Sequence, residues 1–329
     1  MRAYRWGILA PGSIAHRFAQ GLSVCENAER YAVGSRDAGR AEAFRERYAF
    51  KRAYGSYEEF ASDPALDVAY VATPHPHHTE AAILLMERGK HVLCEKPLAA
   101  NAAQAARMIA CARANGVFLM EGIWTRFLPS IVRLRELIAE GAIGEVRRVE
   151  ANFGFRAQTD PNGRLFAPAM AGGSLLDVGV YNVAFARMVF GARPSAVDSK
   201  LHLGETGVDE EAALSLTYPS GATASLYSAI RVNTPQDATV FGTEGSIYLP
   251  SYWHGDTLIL RGKDGEAVTR FPFESTGFQF EAAAVMECLA RGEKESPVMP
   301  LDESLENMRL MDAVRAEHGL AYPFEEGGE

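Results

Sequence analysis

The sequence predicts an α/β protein in which a doubly wound parallel sheet is followed by a second domain of the α+β class. Up to about residue 122, short apolar strands alternate with helical segments, which is typical of βαβ units with helices on both faces of a parallel sheet. Beyond that point strand-like segments follow one another directly, which favours an antiparallel or mixed sheet. We therefore divide the 329 residues into two domains, 1–122 and 123–329.

The individual elements are predicted from apolar periodicity and from residues that start or stop helices. Asp37 is placed to cap one helix, and Gly89 is placed to end another. The first domain is predicted to contain strands 4–10, 30–33, 67–72, 91–94 and 117–120 and helices 14–22, 38–48, 57–60, 80–88 and 102–115. The second is predicted to contain helices 131–140, 278–290 and 301–318 and strands 146–155, 196–203, 212–218, 221–230, 237–242, 246–249 and 257–261.

Composition excludes several classes of protein. With 47% apolar and 23% charged residues the chain resembles a soluble globular protein, and a net charge of −9 without a basic stripe argues against nucleic acid as a partner. No apolar run approaches the roughly 20 residues that span a bilayer, so no membrane partner is expected. The four cysteines are scattered and the N-terminus enters a strand directly. We therefore expect reduced thiols, no export signal and a cytoplasmic location.

The first strand, turn and helix contain a pattern for dinucleotide binding. Such a turn needs one glycine for its tight bend, another where the backbone nears the pyrophosphate, and a small residue where the helix meets the strand. Gly12 and Ala15 satisfy the second and third requirements, whereas Ala10 stands where the first glycine is expected. The helix N-terminus would then receive the pyrophosphate. From the spacing alone, an ordinary βα turn is an equal alternative.

The end of the second strand bears on the choice of cofactor. An NAD site carries a carboxylate there, bonded to the ribose 2′-hydroxyl. This chain has Ser35 and Arg36, with Arg40 four residues further on, and guanidinium groups suit a 2′-phosphate. We interpret Asp37 as a helix cap rather than a ribose ligand, and we predict NADP, with NAD less favoured. A solvated helix start is the alternative for both arginines.

A loop with three histidines, Thr73-Pro74-His75-Pro76-His77-His78, follows the third strand of the predicted sheet. A metal site is one interpretation, but Pro76 hinders shared ligation and no cysteine or carboxylate cluster is near in sequence. We predict a loop that faces the nucleotide, with His78 at the start of the next helix and no bound metal.

The segment Leu93-Cys94-Glu95-Lys96-Pro97 places a lysine directly after a buried strand. A lysine at the C-terminal end of a strand can hold a substrate oxygen or tune a neighbouring acid, because burial and nearby charges shift lysine pKa values readily. Glu-Lys-Pro alone is common in surface turns. Its meaning here depends on the nucleotide-binding pattern that precedes it.

Gly172 and Gly173 precede a stretch in which Asp177 and Tyr181 lie four residues apart, on one face of a predicted helix. The glycines would allow a ligand to approach the backbone closely. A phenol titrates near pH ~10, so Tyr181 can serve as an acid or base only beside a cation, for which Lys96 is the candidate. A buried tyrosine with a hydrogen-bonded hydroxyl is the alternative.

Trp124 follows the last predicted strand of the first domain, where ligands bind to sheets of this kind. We predict that its ring forms a flat apolar wall, with Arg126 close to it. Plain packing between domains is the alternative for the aromatic residues of this segment.

Taken together, these segments resemble the glucose–fructose oxidoreductase/inositol dehydrogenase (Gfo/Idh/MocA) family over nearly the whole chain. Glu-Lys-Pro marks the broad family. The Trp124–Phe127 and Leu175–Tyr181 segments are narrower, and they are similar to the dimeric dihydrodiol dehydrogenases and NADP-dependent D-xylose dehydrogenases within it. Further segments that carry the resemblance are Arg5-Trp6-Gly7-Ile8, Ser35-Arg36-Asp37, 53–59 and Glu205-Thr206-Gly207-Val208-Asp209.

The resemblance implies a Rossmann domain at 1–122, followed by a domain at 123–329 whose open-faced, mostly antiparallel sheet forms a homodimer. It implies an NADP-dependent oxidoreductase that transfers hydride between nicotinamide and a CH–OH or carbonyl carbon of a sugar, cyclic polyol or trans-dihydrodiol. Relatives in the dihydrodiol group also depart from glycine at the position of Ala10, so we do not interpret that departure as loss of cofactor binding.

The resemblance also implies roles for single residues. Lys96 and Tyr181 are the implied catalytic pair, and Asp177 is predicted to orient substrate hydroxyls. The predicted substrate contacts are Lys96, Trp124, Phe153, Asp177 and Tyr181. The predicted cofactor contacts are Gly7, Ala10, Gly12, Ser13, Ile14, Ala15, Ser35, Arg36, Arg40, Thr73, Pro74, His75, His78, Glu95, Lys96, Trp124 and Arg126.

Two other functions stay open at this point. Glucose–fructose-type oxidoreductases hold NADP tightly and exchange hydride between two sugars, but they carry an export signal and an N-terminal arm that we do not expect here. Some members of the fold are non-catalytic NAD(P)-sensing regulators. The presence of both Lys96 and Tyr181 argues against that second alternative.

Overall fold

A computed structural model describes residues 2–325; Met1 and residues 326–329 of the predicted domains lie outside the described part. The described residues form two compact units. The first contains residues 2–124 and 274–305, and the second contains residues 125–273 and 306–325. The sequence analysis divided the chain into two continuous segments, whereas these units are discontinuous because residues 274–305 return to the first.

A six-stranded sheet forms the centre of the first unit. Its strands are β1 (Tyr4–Leu9), β2 (Ala28–Gly34), β3 (Arg52–Tyr54), β4 (Val68–Val71), β5 (His91–Glu95) and β6 (Leu119–Gly122). They pair in parallel in the order β3–β2–β1–β4–β5–β6, so the predicted doubly wound sheet is confirmed. The order reverses between β1 and β4, and ligands of such sheets bind beyond the carboxyl ends of the strands at that place.

Five helices connect these strands. They are α1 (Ser13–Leu22), α2 (Ala38–Tyr48), α3 (Tyr57–Ser62), α4 (His78–Glu87) and α5 (Ala102–Asn115). Asp37, Ser56 and Asn101 each accept a backbone N–H of the following helix at 2.9–3.1 Å, which satisfies donors that have no partner inside the helix. The predicted cap at Asp37 is therefore confirmed. The three-residue strand β3 was not predicted, because its residues show no clear alternation.

An eight-stranded sheet forms the second unit. Its strands are β7 (Val146–Gly154), β8 (Ala196–Leu203), β9 (Asp209–Thr217), β10 (Thr223–Ala229), β11 (Ala238–Gly242), β12 (Gly245–Leu249), β13 (Thr257–Gly262) and β14 (Gly265–Arg270). They lie in the order β14–β13–β12–β11–β7–β10–β9–β8. Within the described part of this second sheet, only the β7–β10 pair is parallel. The predicted mostly antiparallel sheet is confirmed, although β14 was not anticipated.

The two faces of this sheet differ in burial. Neighbouring strands place their residues in rows across the sheet, and alternate rows point to opposite faces. One row is buried and consists of Leu249, Ala238, Ala151, Leu226 and Leu214. The adjacent row is partly or fully exposed and consists of Tyr248, Thr239, Glu150, Ser225 and Ser215. The second row belongs to a face that other elements of the described chain leave largely uncovered.

Helices α6 (Pro129–Ala139) and α7 (Val180–Phe190) belong to the second unit, and a π-helical turn, Leu175–Gly179, leads into α7. The sequence predicted a continuous helix from Ser174, so the wider π turn is a difference. By length and composition Pro168–Phe190 could cross a membrane, contrary to our reading of the apolar runs. However, 89% of its most apolar window is buried inside the fold, as in the core helix of a soluble protein.

The chain ends with α8 (Phe278–Ala290) and α9 (Leu301–Glu317). Helix α8 lies against α1 in the first unit. A Cβ built on Gly21 of α1 would lie 2.9 Å from the Cβ of Phe278, so the two helices are close only because Gly21 has no side chain. The hydroxyls of Ser275 and Thr276 donate to the backbone oxygens of Gln20 and Arg17, both at 2.9 Å. These contacts hold the returning segment on the Rossmann unit.

Candidate active site

The turn after β1 presents the N-terminal end of α1. Ala10 has a φ of 67°, the left-handed conformation that explains why the pattern expects glycine there. Gly12 is the N-cap residue of α1, and no described side chain caps this helix. A Cβ built on Gly12 would meet no described heavy atom closer than 4.0 Å. Open space beside the free N–H groups of a helix N-terminus fits a pyrophosphate.

The other residues of this pattern have different roles. Ser13 and Ile14 begin α1, so their backbone N–H groups face its open end. Ala15 is fully buried where the helix meets the sheet. Gly7 lies within β1, and a Cβ there would be 2.5 Å from Phe60 of α3. Gly7 therefore permits close packing of β1 on α3, and its contact with a cofactor stays a prediction.

The end of β2 combines a helix cap with a basic patch. The Oγ atom of Ser35 accepts the N–H of Asp37 at 3.1 Å, and Asp37 Oδ1 accepts the N–H of Arg40 at 3.0 Å. Arg36 and Arg40 are exposed. Burial raises the pKa of Tyr57, while the charges of these two nearby arginines oppose that rise. Two guanidinium groups and a phenol therefore lie together at this strand end.

The loop after β4 is braced by His78. This ring is fully buried, with Nδ1 2.9 Å from Pro97 O and Nε2 2.7 Å from Thr73 O. Burial lowers its pKa to about 4, so the ring is neutral at pH 7. Both ring nitrogens are engaged by backbone carbonyls, so the ring braces the loop, and contact of His78 with a cofactor stays a prediction. Pro74 and His75 begin the short 3-10 turn of this loop.

Metal binding at this loop receives no support from the described residues. Nowhere in residues 2–325 do three or more His, Cys, Asp or Glu side chains form a group that could hold a metal ion.

Lys96 follows β5 at the carboxyl edge of the parallel sheet, as predicted. Its backbone N–H donates to Glu95 Oε2 at 3.1 Å, and the hydroxyl of Tyr70 donates to Glu95 Oε1. Glu95 is 5% exposed, whereas Lys96 is partly exposed, and the Lys96–Pro97 peptide bond is cis. A buried carboxylate thus holds the backbone of this turn and leaves the lysine side chain near the surface of the unit.

Two further buried carboxyl groups lie close to this turn. Glu121 Oε1 accepts the N–H of Leu98 at 2.9 Å. Glu281 comes from α8, and neither of its oxygens has a hydrogen-bond partner among the described residues. Burial raises the pKa of Glu281 well above its usual value, and the charge of Glu95 acts in the same direction. Sequence analysis missed Glu281, because a lone glutamate in a helical pattern resembles a solvent-facing residue.

Trp124 ends the first unit and stacks on Phe278 of α8. The ring centroids are 4.6 Å apart and the planes differ by 16°. The guanidinium of Arg17 lies 5.9 Å from the Trp124 ring centroid and 5.8 Å from that of Phe278. Only 1% of Trp124 is exposed. Trp124 therefore packs inside its own unit, whereas packing between domains and contact of Trp124 with a substrate or cofactor both stay predictions.

In the second unit, Asp177 lies in the π turn and Tyr181 in the first turn of α7. Both are nearly buried, at 3% and 6% exposure. The guanidinium Nη1 of Arg164 donates to Asp177 Oδ1 at 2.7 Å, and its side chain is 55% exposed. Arg164 was missed, because its loop has no recognisable pattern. This ion pair restrains the orientation of the Asp177 carboxylate.

Two aromatic rings lie beside the Tyr181 phenol. The ring centroid of Phe153 is 5.5 Å from that of Tyr181 and 4.6 Å from that of Trp253. The ring planes of Phe153 and Trp253 are nearly parallel, with an angle of 21° between them. The Trp253 indole N–H donates to Gln236 Oε1 at 2.9 Å, which fixes that ring. Trp253 was missed, although an aromatic cluster in the turn after β12 is a usable signal. The second unit thus provides a flat aromatic surface next to a phenol.

The glycines that precede this stretch serve packing inside the protein. Gly173 has a φ of 123°, and a Cβ there would collide with Asp209 Oδ1. A Cβ on Gly172 would lie 2.7 Å from Leu165 O. The sequence interpretation that both glycines make room for a ligand is therefore wrong, because side chain and backbone of the same unit already fill that space.

Arg126 belongs to the second unit. It is 3% exposed, and its Nη2 donates to the backbone oxygen of Ala184 in α7 at 2.6 Å. This guanidinium supports the helix that carries Tyr181, and its contact with a cofactor stays a prediction. Lys96 and Tyr181 belong to different units, so their joint action stays a prediction.

Comparison with known proteins gives two family matches. The oxidoreductase family with an NAD-binding Rossmann fold matches residues 4–123, and the GFO/IDH/MocA C-terminal domain matches residues 131–248. Trans-1,2-dihydrobenzene-1,2-diol dehydrogenase from Mus musculus is 41% identical to this chain, with 98% of each chain covered.

Solved structures of oxidoreductases are also similar. An aldose–aldose oxidoreductase from Caulobacter crescentus, complexed with glycerol, has a TM-score of 0.89 and 28% identity, with 97% of this chain and 98% of that chain covered. A 3-ketoreductase from Actinomadura kijaniata, in complex with NADP and TDP-benzene, has a TM-score of 0.85 and 27% identity, with 96% and 98% covered.

Proposed function

Since this chain belongs to the Gfo/Idh/MocA family of NAD-binding oxidoreductases, we propose that it is an NADP-dependent dehydrogenase acting on a CH–OH group of a trans-dihydrodiol, sugar or cyclic polyol. The observation that carries this proposal is the grouping of Tyr181 with the stacked rings of Phe153 and Trp253 in the second unit. The 41% identity to a dihydrodiol dehydrogenase supports the substrate class.

NADP is the proposed cofactor, and when bound it supplies a nicotinamide ring that accepts or donates hydride. Gly12 and the first N–H groups of α1 would bind the pyrophosphate. Arg36 and Arg40 would bind the 2′-phosphate, for which planar guanidinium groups are suited. The engagement of Asp37 with the Arg40 N–H supports this choice, because the carboxylate that an NAD site uses for ribose is already committed.

Tyr181 is the proposed acid–base group. It would take the proton of the substrate hydroxyl during oxidation and return it during reduction. A phenol with a pKa near 10 needs a cation nearby to act in this way at neutral pH, and we assign that charge to the Lys96 ammonium group. General acid–base help of this kind is worth roughly 10²–10⁴ in rate.

The aromatic surface and Asp177 would orient the substrate. Phe153 and Trp253 offer parallel ring faces for the flat apolar side of a diol or sugar ring. Asp177 would accept a substrate hydroxyl, with its carboxylate held in place by Arg164.

The uncovered face of the eight-stranded sheet is the proposed interface of a homodimer. It carries partly exposed apolar and aromatic side chains, among them Tyr227, Tyr248 and Ile259. Surfaces with such side chains over a regular sheet are suited to self-association. A cytoplasmic location stays a prediction from the sequence.

A spectrophotometric screen tests the proposed function. The purified protein is supplied with NADP or NAD and with trans-dihydrodiols, aldoses and cyclic polyols, and nicotinamide reduction is followed. We expect turnover with NADP. Tyr181→Phe and Lys96→Met should each lower kcat by roughly 10²–10⁴, with NADPH affinity by fluorescence titration little changed. Tyr218→Phe, a buried phenol that packs on Phe190 elsewhere in the second unit, is the matched control and should keep wild-type kcat.

Three outcomes would contradict parts of this proposal. Normal NADPH binding without turnover on any substrate would favour a regulator. Nicotinamide that survives dialysis, with turnover only when two sugars are present, would favour hydride exchange between sugars. Wild-type kcat in Tyr181→Phe would remove the acid–base role from this phenol.

A further inference from the structure

Asp209 is a fully buried carboxylate that the proposed chemistry does not use. It begins β9 and ends the segment 205–209, one of the segments that carry the family resemblance. Its Oδ2 atom accepts the backbone N–H of Leu175 at 2.6 Å and the hydroxyl of Ser174 at 2.8 Å. These two residues begin the helical stretch on which Tyr181 lies.

A distant strand thus supplies the cap of this helical stretch. Ser174, the residue in the N-cap position, makes no capping bond with its own side chain to the following turn. The first N–H groups of a helix need acceptors from elsewhere, and a carboxylate there also interacts favourably with the helix dipole. Asp209 meets both needs through one oxygen.

The start of the stretch also has no room to shift. Gly173, just before it, would collide with Asp209 if it carried a Cβ. A Cβ on Gly179, at the end of the π turn, would lie 2.9 Å from Ser228 Oγ of β10. The hydroxyls of Ser174 and Ser228 are 3.2 Å apart. Strands β9 and β10 therefore fix both ends of the π turn that carries Asp177.

The burial of the Asp209 carboxylate is costly to the fold. Its second oxygen, Oδ1, has no hydrogen-bond partner within residues 2–325. Burial raises its pKa to about 7, against the opposing hydrogen bonds from Leu175 and Ser174. A buried carboxylate with an unsatisfied oxygen costs free energy, so its location calls for another explanation.

We propose that Asp209 is a positioning residue, which holds the first turn of this helical stretch so that Asp177 and Tyr181 keep the orientation that catalysis requires. The inference rests on the proposed function, in which Tyr181 is the acid–base group. A misplacement of reacting groups by about 1 Å can cost on the order of 10²-fold in rate. Removal of the cap is therefore expected to act on kcat.

Two variants at this position separate positioning from charge. Asp209→Ala removes the acceptor and should lower kcat by about 10- to 100-fold, with NADPH affinity unchanged. Asp209→Asn keeps an acceptor oxygen for the Leu175 N–H and should restore kcat to within about threefold of wild type. Hydrogen exchange, measured by mass spectrometry on the peptide spanning 174–181, should accelerate in the alanine variant and not in the asparagine variant.

A buried aspartate in the first unit gives the matched control. Asp63 is 8% exposed and accepts the hydroxyl of Tyr31 at 2.9 Å and the N–H of Ala65 at 2.8 Å. Asp63→Ala should lower thermal stability, yet keep kcat and the exchange rate at 174–181. If Asp209→Ala does not fold, Ser174→Ala is measured instead; it removes one of the two bonds to Asp209 Oδ2, so it should lower kcat and accelerate exchange at 174–181, though less than loss of the whole cap.

The outcomes distinguish this inference from the proposed function. Wild-type kcat and exchange in the foldable variant would overturn the role of Asp209 while leaving the dehydrogenase intact. Failure of the asparagine variant to recover kcat would also overturn it, because an acceptor alone would then be insufficient. If the wild-type protein turns over no substrate, the proposed function fails, and the exchange measurement still decides whether Asp209 orders residues 174–181.

Discussion

Four neighbouring residues at the end of β2 divide two tasks between them. Ser35 and Asp37 accept backbone N–H groups and shape the turn into α2. Arg36 and Arg40 are exposed and lie close to Tyr57. One oxygen of the Asp37 carboxylate is engaged in capping, while the two guanidinium groups lie at the surface of the unit with Arg36 bonded to Tyr57. We therefore favour NADP over NAD at this site, because the Asp37 carboxylate caps a helix and the two arginines are the charged groups left to face a ribose phosphate.

Arg36→Ala is expected to change cofactor selectivity. A charge-assisted hydrogen bond to phosphate is worth about 1.5–3 kcal/mol, so the KM for NADP should rise by roughly 10- to 100-fold. The KM for NAD, which has no 2′-phosphate, should change little. Steady-state kinetics with both cofactors measures the ratio. Arg45→Ala, in the helix α2 that follows Arg36 and paired with Glu42, is the control. Equal losses with NADP and NAD would contradict the proposed phosphate contact.

Ala10 shows how a pattern can be met by an unexpected residue. The structure confirms that its position needs a left-handed backbone, which is why glycine was expected. Alanine adopts this conformation at a cost of roughly 1–2 kcal/mol. The requirement was visible in the sequence spacing, whereas its fulfilment by alanine depends on the backbone bond from the Ala10 N–H to Gly34 O at 2.9 Å.

At the scale of single elements, α2 depends on its cap. Asp37 is extended at φ −123°, and its side chain takes the N–H of Arg40 in the first turn. The sequence predicted this from an aspartate followed by a helical run. Asp37 was also the carboxylate that could have bound the ribose of NAD. A helix cap and a ribose ligand respond differently to substitution, so experiment can distinguish the two roles.

Asp37→Ala is expected to lower the free energy of unfolding by about 1 kcal/mol, because the first turn of α2 loses its acceptor. Asp37→Asn keeps an acceptor and should lie within a few tenths of a kcal/mol of wild type. Urea unfolding followed by circular dichroism gives both values. With NADP, both variants should keep wild-type kcat. If asparagine proved as destabilising as alanine, the capping role of Asp37 would be contradicted; a rise in the KM for NAD alone would instead favour a ribose contact.

Helix α8 shows the opposite case, in which the element was predicted correctly but its place was not. Its predicted bounds, 278–290, agree with the structure. Its partner α1 lies more than 250 residues earlier in the chain, and no local pattern reports a contact at that separation. The contact of Phe278 with Trp124, and the proximity of Glu281 to the turn after β5, could therefore not be predicted from the sequence.

The whole molecule presents one sheet face that the described chain does not cover. Ile259 is partly exposed there and pairs across the sheet with Tyr248 and Val268. A face of this kind is covered by a second copy in the proposed homodimer. The uncovered face was expected from the family resemblance, and the alternation of burial along β9 and β10 supports it.

Ile259→Lys is expected to shift the protein from dimer to monomer, because a charge on this face would be buried without a partner. Sedimentation velocity over a range of concentrations measures the change. Val24→Lys, at a residue that is 45% exposed in the first unit, is the control and should leave the oligomer unchanged. A wild-type protein that sediments as a monomer at all concentrations would rule out the proposed interface.

The sequence by itself determined the elements whose signals are local. Caps such as Asp37, the alternation of burial along strands and the glycine spacing after β1 act over a few residues, so the parallel sheet, most bounds and the strand-end position of Lys96 were predictable. The four-residue spacing made Asp177 and Tyr181 candidates, and the family resemblance supplied their roles.

Only the tertiary structure decided which distant residues meet. The burial of His78 between two carbonyls, the aromatic pair of Phe153 and Trp253, and the capping of Leu175 by Asp209 all join segments far apart in the chain. Such contacts arise from sheet order and from helix packing, and nothing in the neighbouring residues specifies them. For the same reason the double glycine before Tyr181 looked like a ligand site until Asp209 was found to fill the space beside it.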